Sequence, residues 1–324
     1  MKSSLQFSYS KMSLYKECPQ KFKFKYIDKM PEQPKTYFAF GSSIHKALEF
    51  FHDPVHKASP SLQELVQAFQ TDWMRLDATS KGYASQCASD EALAVGIEML
   101  KNYYAKHREP FTPPLSVEFR TRVTIDDLII TAIVDRVDHL GDGKLRVVDY
   151  KTGKNVSREP DQLYMYQKVL ESSKAFAELT SGIPGKKTIT EMAYYHVPSL
   201  TEVVVPRAKP NELEYFWEKA LMVGENIRAC KFDPTPSFSC KFCDYRSACD
   251  ALRTTKFTKP QAEPEAEPAS LQPDPTSGLL AGEVVVPVNS PELDIVTETL
   301  GIIDDAMDLA ERAKALRSRI EGLK

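Results

Sequence analysis

The 324-residue sequence contains no uninterrupted apolar run that approaches the ~20 residues needed by a membrane-spanning helix. Its opening residues, MKSSLQFSYSKMSLY, lack the apolar core of a secretion signal. A G-x-x-x-x-G-K-[ST] motif is also missing, so we expect no ATP-driven unwinding of DNA by this chain alone. These absences predict a cytoplasmic or nucleoid-associated protein, or one of the host cytoplasm if it is viral, with no membrane partner.

The composition, 42% hydrophobic and 27% charged, is typical of a globular protein with one large domain or two small ones. Its net charge of −3 conceals a division along the chain. Residues 256–324 hold 7 Lys/Arg and 13 Asp/Glu, which leaves a net charge of +3 for residues 1–255. The positive charge therefore belongs to the part of the chain that carries the motifs described below.

The first 35 residues hold eight lysines among several aromatic residues. This alternation suits a nucleic-acid surface, because phosphates attract cations and unpaired bases stack on rings. It suits equally a helix that buries an aromatic face and leaves its lysines in solvent. The aromatic residues concerned are Tyr9, Tyr15, Phe22, Phe24 and Tyr26.

Periodicity predicts an α/β (α+β) architecture. Ser10 can cap a helix over residues 10–27, which Pro19 is expected to kink or restart, and Gly41 is expected to form a turn before the next helix. Three consecutive strands with short turns between them predict an antiparallel meander within a central mixed sheet flanked by helices. The further predicted helices are 39–52, 61–77, 88–107, 159–173 and 210–230, and the predicted strands are 115–125, 128–138, 144–151, 187–197 and 201–206.

The composition changes near residue 255. Seven prolines between residues 260 and 291 predict a disordered Pro/Glu-rich linker over 255–291. The following segment, 292–324, repeats apolar residues at heptad spacing. It is predicted to be either a coiled coil or one amphipathic helix folded onto the body. The remaining residues, 1–254, form the predicted main domain.

The stretch VVDYKTGK (147–154) places an acid and an amine two positions apart at the end of an apolar strand. Side chains at i and i+2 share one face of a strand, so Asp149 and Lys151 should project side by side. The preceding strand ends IVDRVD, and its Asp135 should approach Asp149 across the sheet. Two converging carboxylates favour a hard cation such as Mg²⁺ or Mn²⁺. Asp138 of the same strand is predicted to be a solvated turn residue.

The ordered set of motifs resembles the PD-(D/E)XK nuclease superfamily, in the branch that includes the RecB nuclease domain. AIVDRVD…LRVVDYKTG resembles the core signature, FGSSIHKALE its G-x-x-[IV]-H helix, and DQLYMYQKVL its Q-x-x-x-Y helix. The resemblance implies a restriction-endonuclease-like core over about residues 8–250. It implies that Asp135, Asp149, Lys151, Gln162 and Tyr166 are catalytic. The implied metal residues are His45, Asp135, Asp149 and the carbonyl of Tyr150, with Glu118 as an occasional accessory acid.

Three cysteines fall within ten residues in CKFCDYRSAC, which is a strong metal signal. The RecB-like branch includes iron–sulfur proteins of the AddB nuclease domain, CRISPR-associated RecB-like exonuclease and exonuclease V types, whose first cysteine lies in the opening helix. The resemblance therefore implies a 4Fe–4S cluster on Cys18, Cys240, Cys243 and Cys249. A local set with Cys230 in place of Cys18 and Zn²⁺ in place of the cluster is the alternative. Cys87 is expected to be buried or incidental.

The motifs together predict a metal-dependent DNA exonuclease that acts at single-stranded ends in recombination, repair or replication. The alternatives are a structure-specific endonuclease and a non-catalytic or complex-bound DNA-binding adaptor on the same scaffold. The last segment of the chain is expected to recruit a helicase, a recombinase or a second copy of the protein. DNA, single-stranded in the leading interpretation, is the expected main partner.

Overall fold

A computed structural model of the protein describes residues 5–155 and 159–251. The predicted linker 255–291 and terminal helix 292–324 lie outside these described residues. None of the described helices is both long and apolar enough to cross a membrane. The described helices are α1 (Tyr9–Glu17), α2 (Pro19–Phe22), α3 (Thr36–Phe51), α4 (Leu62–Trp73), α5 (Gln86–His107), α6 (Asp161–Glu171), α7 (Lys174–Leu179) and α8 (Pro210–Arg228). The strands are β1 (Leu5–Phe7), β2 (Ser116–Ile125), β3 (Leu128–Gly141), β4 (Lys144–Lys151), β5 (Thr188–His196) and β6 (Thr201–Pro206).

The described strands form one mixed sheet, which confirms the predicted fold class. β2, β3 and β4 are an antiparallel meander, β4 and β5 are parallel, and β6 returns antiparallel to β5. The parallel β4–β5 step needs a crossover, which α6 and α7 provide.

The long strand β3 carries neighbours on both edges. β2 pairs along one edge from Leu128 to Val137, while β1 and β4 share the other edge. β1 pairs with residues 128–130, and β4 pairs from Arg136 onward. In the described part of the chain, residues 131–135 therefore meet no strand on that second edge. Asp135 lies at the end of this gap.

Two apolar cores lie on opposite faces of the sheet. One is formed by α1, α6 and α8 against residues such as Leu128 and Val147. The other is formed by α3, α4 and α5 against Val148, Tyr150 and Tyr195. Because successive strand residues point to opposite faces, β4 contributes to both cores in alternation. Asp149 and Lys151 follow Val147 on the α6 side.

The predicted elements need several corrections. Ser8 caps α1 instead of Ser10, with its side chain accepting from the N–H of Lys11. Pro19 does restart the helix, which ends in a π-helical turn at Lys23–Ile27. The predicted turn at Gly41 is wrong, since α3 begins at Thr36 and runs through that residue.

The aromatic residues of the opening helices pack inward. Tyr15, Phe22 and Phe24 are buried, while Tyr9 and Tyr26 are half-buried. Several neighbouring lysines form ion pairs, among them Lys16 with Asp161. These contacts agree with the buried-face interpretation of the basic and aromatic pattern.

Candidate active site

The end of β4 places an acid and an amine in contact. Lys151 Nζ lies 2.8 Å from Asp149 Oδ2, as expected for side chains two positions apart on one strand. Asp149 is buried, whereas Lys151 is half-buried. The ammonium group therefore forms the boundary between a buried carboxylate and the solvent.

Two side chains of helix α6 contact the same carboxylate. Gln162 Nε2 donates to Asp149 Oδ1 at 2.7 Å, and the Tyr166 hydroxyl donates to the same oxygen at 3.0 Å. Lys151 Nζ donates to Gln162 Oε1 at 2.8 Å. Gln162 and Tyr166 are one helical turn apart, so both reach one side of the site. The four side chains form a closed hydrogen-bonded network, which fixes the orientation of Asp149.

A second group of ligand atoms lies beside this network. Atoms of His45, Glu118 and Asp135 all lie within 4.8 Å of one another. His45 Nδ1 is 3.4 Å from Asp135 Oδ1. The other oxygen, Asp135 Oδ2, accepts from the main-chain N–H of Tyr150 at 2.7 Å. That contact joins Asp135, at the end of the unpaired stretch of β3, to Tyr150, the middle residue of the D-x-K motif.

Close packing places His45 in this group. A Cβ atom on Gly41 would come within 2.8 Å of Thr152 Oγ1, so any other residue there would require the Thr152 side chain to move. His45 follows Gly41 by four residues and lies on the same side of the helix. The glycine of the G-x-x-x-H motif therefore lies at the contact between α3 and the end of β4, one turn before the histidine.

Glu118 reaches the group through a distorted backbone. It stands opposite Asp135 between the paired residues Val117 and Phe119, yet it makes no ladder pair itself. Its φ is 47°, a left-handed value that non-glycine residues rarely adopt. Such a distortion redirects a strand side chain, and it is typical of functional sites.

Negative charge accumulates among these carboxylates. Burial, followed by the nearby Asp135 carboxylate, raises the pKa of Asp149 and also that of Glu118. Burial alone would lower the pKa of His45, but its contact with Asp135 raises it overall. A bound cation would relieve this repulsion, and an imidazole with several carboxylates is a donor set suited to Mg²⁺ or Mn²⁺. The residues present therefore fit a divalent metal ion.

The structure brings together the side chains that the sequence predicts for the site. Tyr150, predicted to contribute only its carbonyl, turns its phenol to the opposite face, where it contacts Tyr103 and Arg136, and its main chain reaches the site. Sequence reasoning gave Glu118 too little weight, although its position opposite Asp135 on a neighbouring strand was a signal. The side chains brought together are His45, Asp135, Asp149, Lys151, Gln162 and Tyr166.

Asp138 lies away from this group. Its Oδ2 accepts from Nε and Nη2 of Arg136 at 3.1 and 2.8 Å. The interpretation of Asp138 as a solvated turn residue is wrong, because β3 continues to Gly141 and the Asp138 side chain is only 18% exposed. The acid instead compensates a buried guanidinium.

Four cysteines line one cavity of about 30 Å³ near the start of α2. They are Cys18, Cys240, Cys243 and Cys249. The N–H of Thr235 points to Cys18 Sγ at 3.5 Å, and that of Ser237 to Cys240 Sγ at 3.3 Å. Cys230 is exposed and is not among the lining residues, and Cys87 is also exposed. The geometry thus groups Cys18, rather than Cys230, with the C-x2-C-x5-C sulfurs.

The cysteine segment also contacts the start of α3. Lys35 Nζ lies 2.5 Å from Asp244 Oδ1, and both side chains are largely buried. Asp244 directly follows Cys243, while Lys35 directly precedes α3. Phe24 packs against Tyr245 with ring centroids 5.5 Å apart. The segment that carries the cysteines therefore restrains the helix that carries His45.

Several known proteins are similar to this chain. The chain is 26% identical to the Gene 69 protein of Mycobacterium phage D29, over 76% of this chain and 97% of that one. It is 22% identical to the Gene 69 protein of Mycobacterium phage L5, over 76% and 96%. A solved structure from Eubacterium rectale, of a protein named as a candidate exonuclease, is 13% identical with a TM-score of 0.39, covering 80% of this chain and 91% of that one. Residues 6–250, well over half of the sequence, match the profile of the PD-(D/E)XK nuclease superfamily, so the chain belongs to that superfamily.

Proposed function

We propose that the protein is a divalent-metal-dependent deoxyribonuclease that acts as an exonuclease at single-stranded DNA ends. The observation that carries this proposal is the contact of Lys151 with Asp149 beside Asp135, the acid–acid–lysine arrangement of phosphodiester hydrolysis. Membership of the nuclease superfamily supports the reaction class. The two phage relatives support a viral protein that works in the host cytoplasm. The proposed role is in recombination, repair or replication of DNA.

The proposed metal ligands are His45, Asp135, Asp149 and the carbonyl of Tyr150. Glu118 joins them, since its carboxylate lies within 4.8 Å of the ligand atoms of His45 and Asp135. When bound, Mg²⁺ or Mn²⁺ supplies Lewis-acid polarisation of the scissile phosphate and acidifies the attacking water.

Lys151 has an ammonium group with three donor hydrogens. Among the described residues, two of its donor contacts go to Asp149 and Gln162, so a third donor hydrogen can serve a water or a phosphate oxygen. In the proposed reaction Lys151 orients that water and stabilises the charge that develops on the phosphate oxygens. Gln162 and Tyr166 hold Asp149 in place through its Oδ1 atom.

The first experiment asks whether the protein degrades DNA and from where. Anaerobically purified protein is incubated with Mn²⁺ or Mg²⁺ and end-labelled single-stranded, duplex or circular DNA. Loss of linear single strands with intact circles supports an exonuclease, whereas nicked circles favour the structure-specific endonuclease. Binding without hydrolysis in both metals would favour the non-catalytic adaptor. Asp149→Ala and Lys151→Ala variants serve as inactive controls.

We further propose a 4Fe–4S cluster on Cys18, Cys240, Cys243 and Cys249, as in the iron–sulfur proteins of the RecB-like branch. Four sulfurs around one small cavity and N–H groups that point at two of them suit metal-bound thiolates. Tetrahedral Zn–S bonds of about 2.3 Å would place the sulfurs roughly 3.8 Å apart. Among the described residues no three cysteine sulfurs lie within 4.8 Å of one another, so binding of Zn²⁺ would require the sulfurs to move closer together.

The terminal segment, residues 292–324, is proposed to recruit a helicase, a recombinase or a second copy of the chain. Its heptad spacing is the only support, because it lies outside the described residues. Deleting residues 256–324 should leave hydrolysis intact and change the assembly state, measured by light scattering. Identical mass and partner binding in the truncated protein would contradict the recruitment proposal.

A further inference from the structure

Two aromatic side chains stand exposed at the start of α3. Tyr37 is 62% exposed and Phe38 is 61% exposed, and their ring centroids are 4.6 Å apart. Isolated exposed apolar residues are ordinary on protein surfaces, but two touching rings beside a catalytic site are not. The pair forms a small apolar surface that the described residues do not cover.

The rings line a groove that leads to the proposed metal site. This groove has a volume of about 490 Å³, and its lining includes His45 and Glu118 as well as both rings. Phe38 and His45 are seven residues apart, which places them two helical turns apart on one side of α3. A phosphate held beside His45 therefore leaves a neighbouring base within reach of the rings.

The chemistry of the groove suits a nucleic-acid strand. Lys46 lines it, and its ammonium group, which pairs with Glu49, has further donor hydrogens for the backbone phosphates. A Cβ atom at Gly153, which also lines the groove, would meet no atom of the described residues within 4 Å, so there is open space on that side of the backbone. Aromatic rings bind any unpaired base through its π face, whereas a paired base keeps that face inside the duplex stack.

We propose that Tyr37 and Phe38 are a stacking platform for an unpaired base of the strand whose phosphate is hydrolysed. The platform rests on the proposed nuclease function and names its substrate class as single-stranded DNA. It selects single strands by their accessible bases, and the sequence of the bases does not matter.

Binding measurements test the platform without hydrolysis. In a Lys151→Ala background, Tyr37→Ala/Phe38→Ala should weaken binding of a single-stranded oligonucleotide roughly 10- to 100-fold by fluorescence anisotropy. Blunt duplex binding should not change. Tyr37→Phe should bind as the parent does, because the ring remains. The matched control is Tyr215→Ala on α8, since Tyr215 is also 61% exposed but contributes nothing to the groove.

A spectroscopic signature separates stacking from a structural effect. The emission of 2-aminopurine, placed one position at a time along the oligonucleotide, should be quenched at one or two positions by the protein and restored by the double alanine variant. The platform would be overturned if that variant bound the single-stranded oligonucleotide as tightly as the parent, or if no position were quenched. The exposed rings would then be assigned to another partner such as a protein. An equal loss of duplex affinity would overturn it too.

Catalytic assays distinguish the platform proposal from the nuclease proposal. With Lys151 intact, the double alanine variant should lose kcat/KM on single strands mainly through KM, and should cleave the small diester thymidine 5′-p-nitrophenyl phosphate at the parental rate. Loss of cleavage of both substrates would contradict a role confined to the strand. If the parent quenches 2-aminopurine but hydrolyses neither substrate, the nuclease proposal fails, and the rings keep only the role of binding an unpaired base.

Discussion

Lys151 Nζ lies within 2.8 Å of both Asp149 Oδ2 and Gln162 Oε1, so one ammonium group joins β4 to α6. Replacing Lys151 by Ala removes the donor proposed to orient the attacking water. We expect DNA cleavage to fall roughly 10²- to 10⁴-fold. The melting temperature should still rise on addition of Mn²⁺, because the carboxylates remain. Lys144→Ala, an exposed lysine at the start of the same strand, is the control. Undiminished cleavage by Lys151→Ala would refute the assignment.

The hydrogen bonds from α6 to Asp149 predict a weaker, graded effect. Tyr166→Phe removes one donor to Oδ1, and Gln162→Ala removes another. Because such supporting contacts orient a metal ligand, each change should cost roughly 10–100-fold in Mn²⁺ affinity or kcat. Mn²⁺ titration and single-turnover cleavage would measure both. Tyr164→Phe, on the same helix, should have no effect, and equal losses in all three variants would indicate a damaged fold instead.

The Glu118 carboxylate is expected to lower the stability of the metal-free protein and to strengthen metal binding. Burial and the Asp135 carboxylate raise its pKa, so the ionised form is disfavoured in the metal-free protein. Stability is then lost as pH rises from the pKa of the unfolded chain through the raised pKa of the folded protein. Glu118→Gln should therefore raise the melting temperature in EDTA above this pH range, but not below it. The same variant should reduce the stabilisation by Mn²⁺. A destabilised variant with an unchanged response to Mn²⁺ would exclude Glu118 from the site.

How far the sequence predicts the site depends on the range of each contact. The contact of Asp149 with Lys151 follows from the two-residue period of a strand, and that of Gln162 with Tyr166 from the helical turn. The distorted φ of Glu118 has no comparable local signal. The spacing of the cysteines in residues 240–249 is enough to predict a metal site, whereas Cys18 is assigned to that site only through the family resemblance.

The fold shows the same division. Long, strongly periodic elements such as α5 and β4 are predicted within a few residues. β1 is missed because three residues carry no detectable alternation, and it matters because it delimits the gap at residues 131–135. The pairing of Arg136 with Asp138 is missed for another reason: charged residues in a strand look solvated until the tertiary contacts are known.

The buried His52 and the half-buried His107, on the face of β4 opposite the candidate site, predict acid lability. Burial, followed by the charge of Arg136, lowers the pKa of His52 well below its ordinary value and lowers that of His107 to about 4. Both are neutral in the folded protein, while the unfolded chain protonates them below about pH 6.5. Their contribution to stability is therefore complete above pH 6.5 and is lost as pH falls toward 4.

Urea unfolding at several pH values measures this effect. The free energy of unfolding should be level from pH 7 to 8 and fall steadily below about pH 6.5. His107→Gln should reduce the slope, whereas His139→Gln, at an exposed position of β3, should leave it unchanged. A slope that is the same in the parent and in His107→Gln would contradict the prediction.

The cavity shared by four cysteines predicts the outcome of single substitutions. Cys18→Ser should lose bound iron and acid-labile sulfide, because its sulfur lines the cavity. Cys230→Ser should keep both, because Cys230 is exposed and outside that cavity. Metal analysis and visible absorbance of anaerobic protein would measure the difference. Iron loss in Cys230→Ser alone would reverse the assignment, and stoichiometric zinc in the parent would exclude the cluster.

The ion pair between Lys35 and Asp244 has a mechanical consequence. It fastens the first turn of α3 to a segment that lies more than 200 residues later in the chain. If the proposed cluster were lost, this ion pair would still join the start of α3 to residue 244. Any displacement of the cysteine segment would therefore act on the rings of Tyr37 and Phe38, only two and three residues beyond Lys35. Along the same helix it would also act on His45.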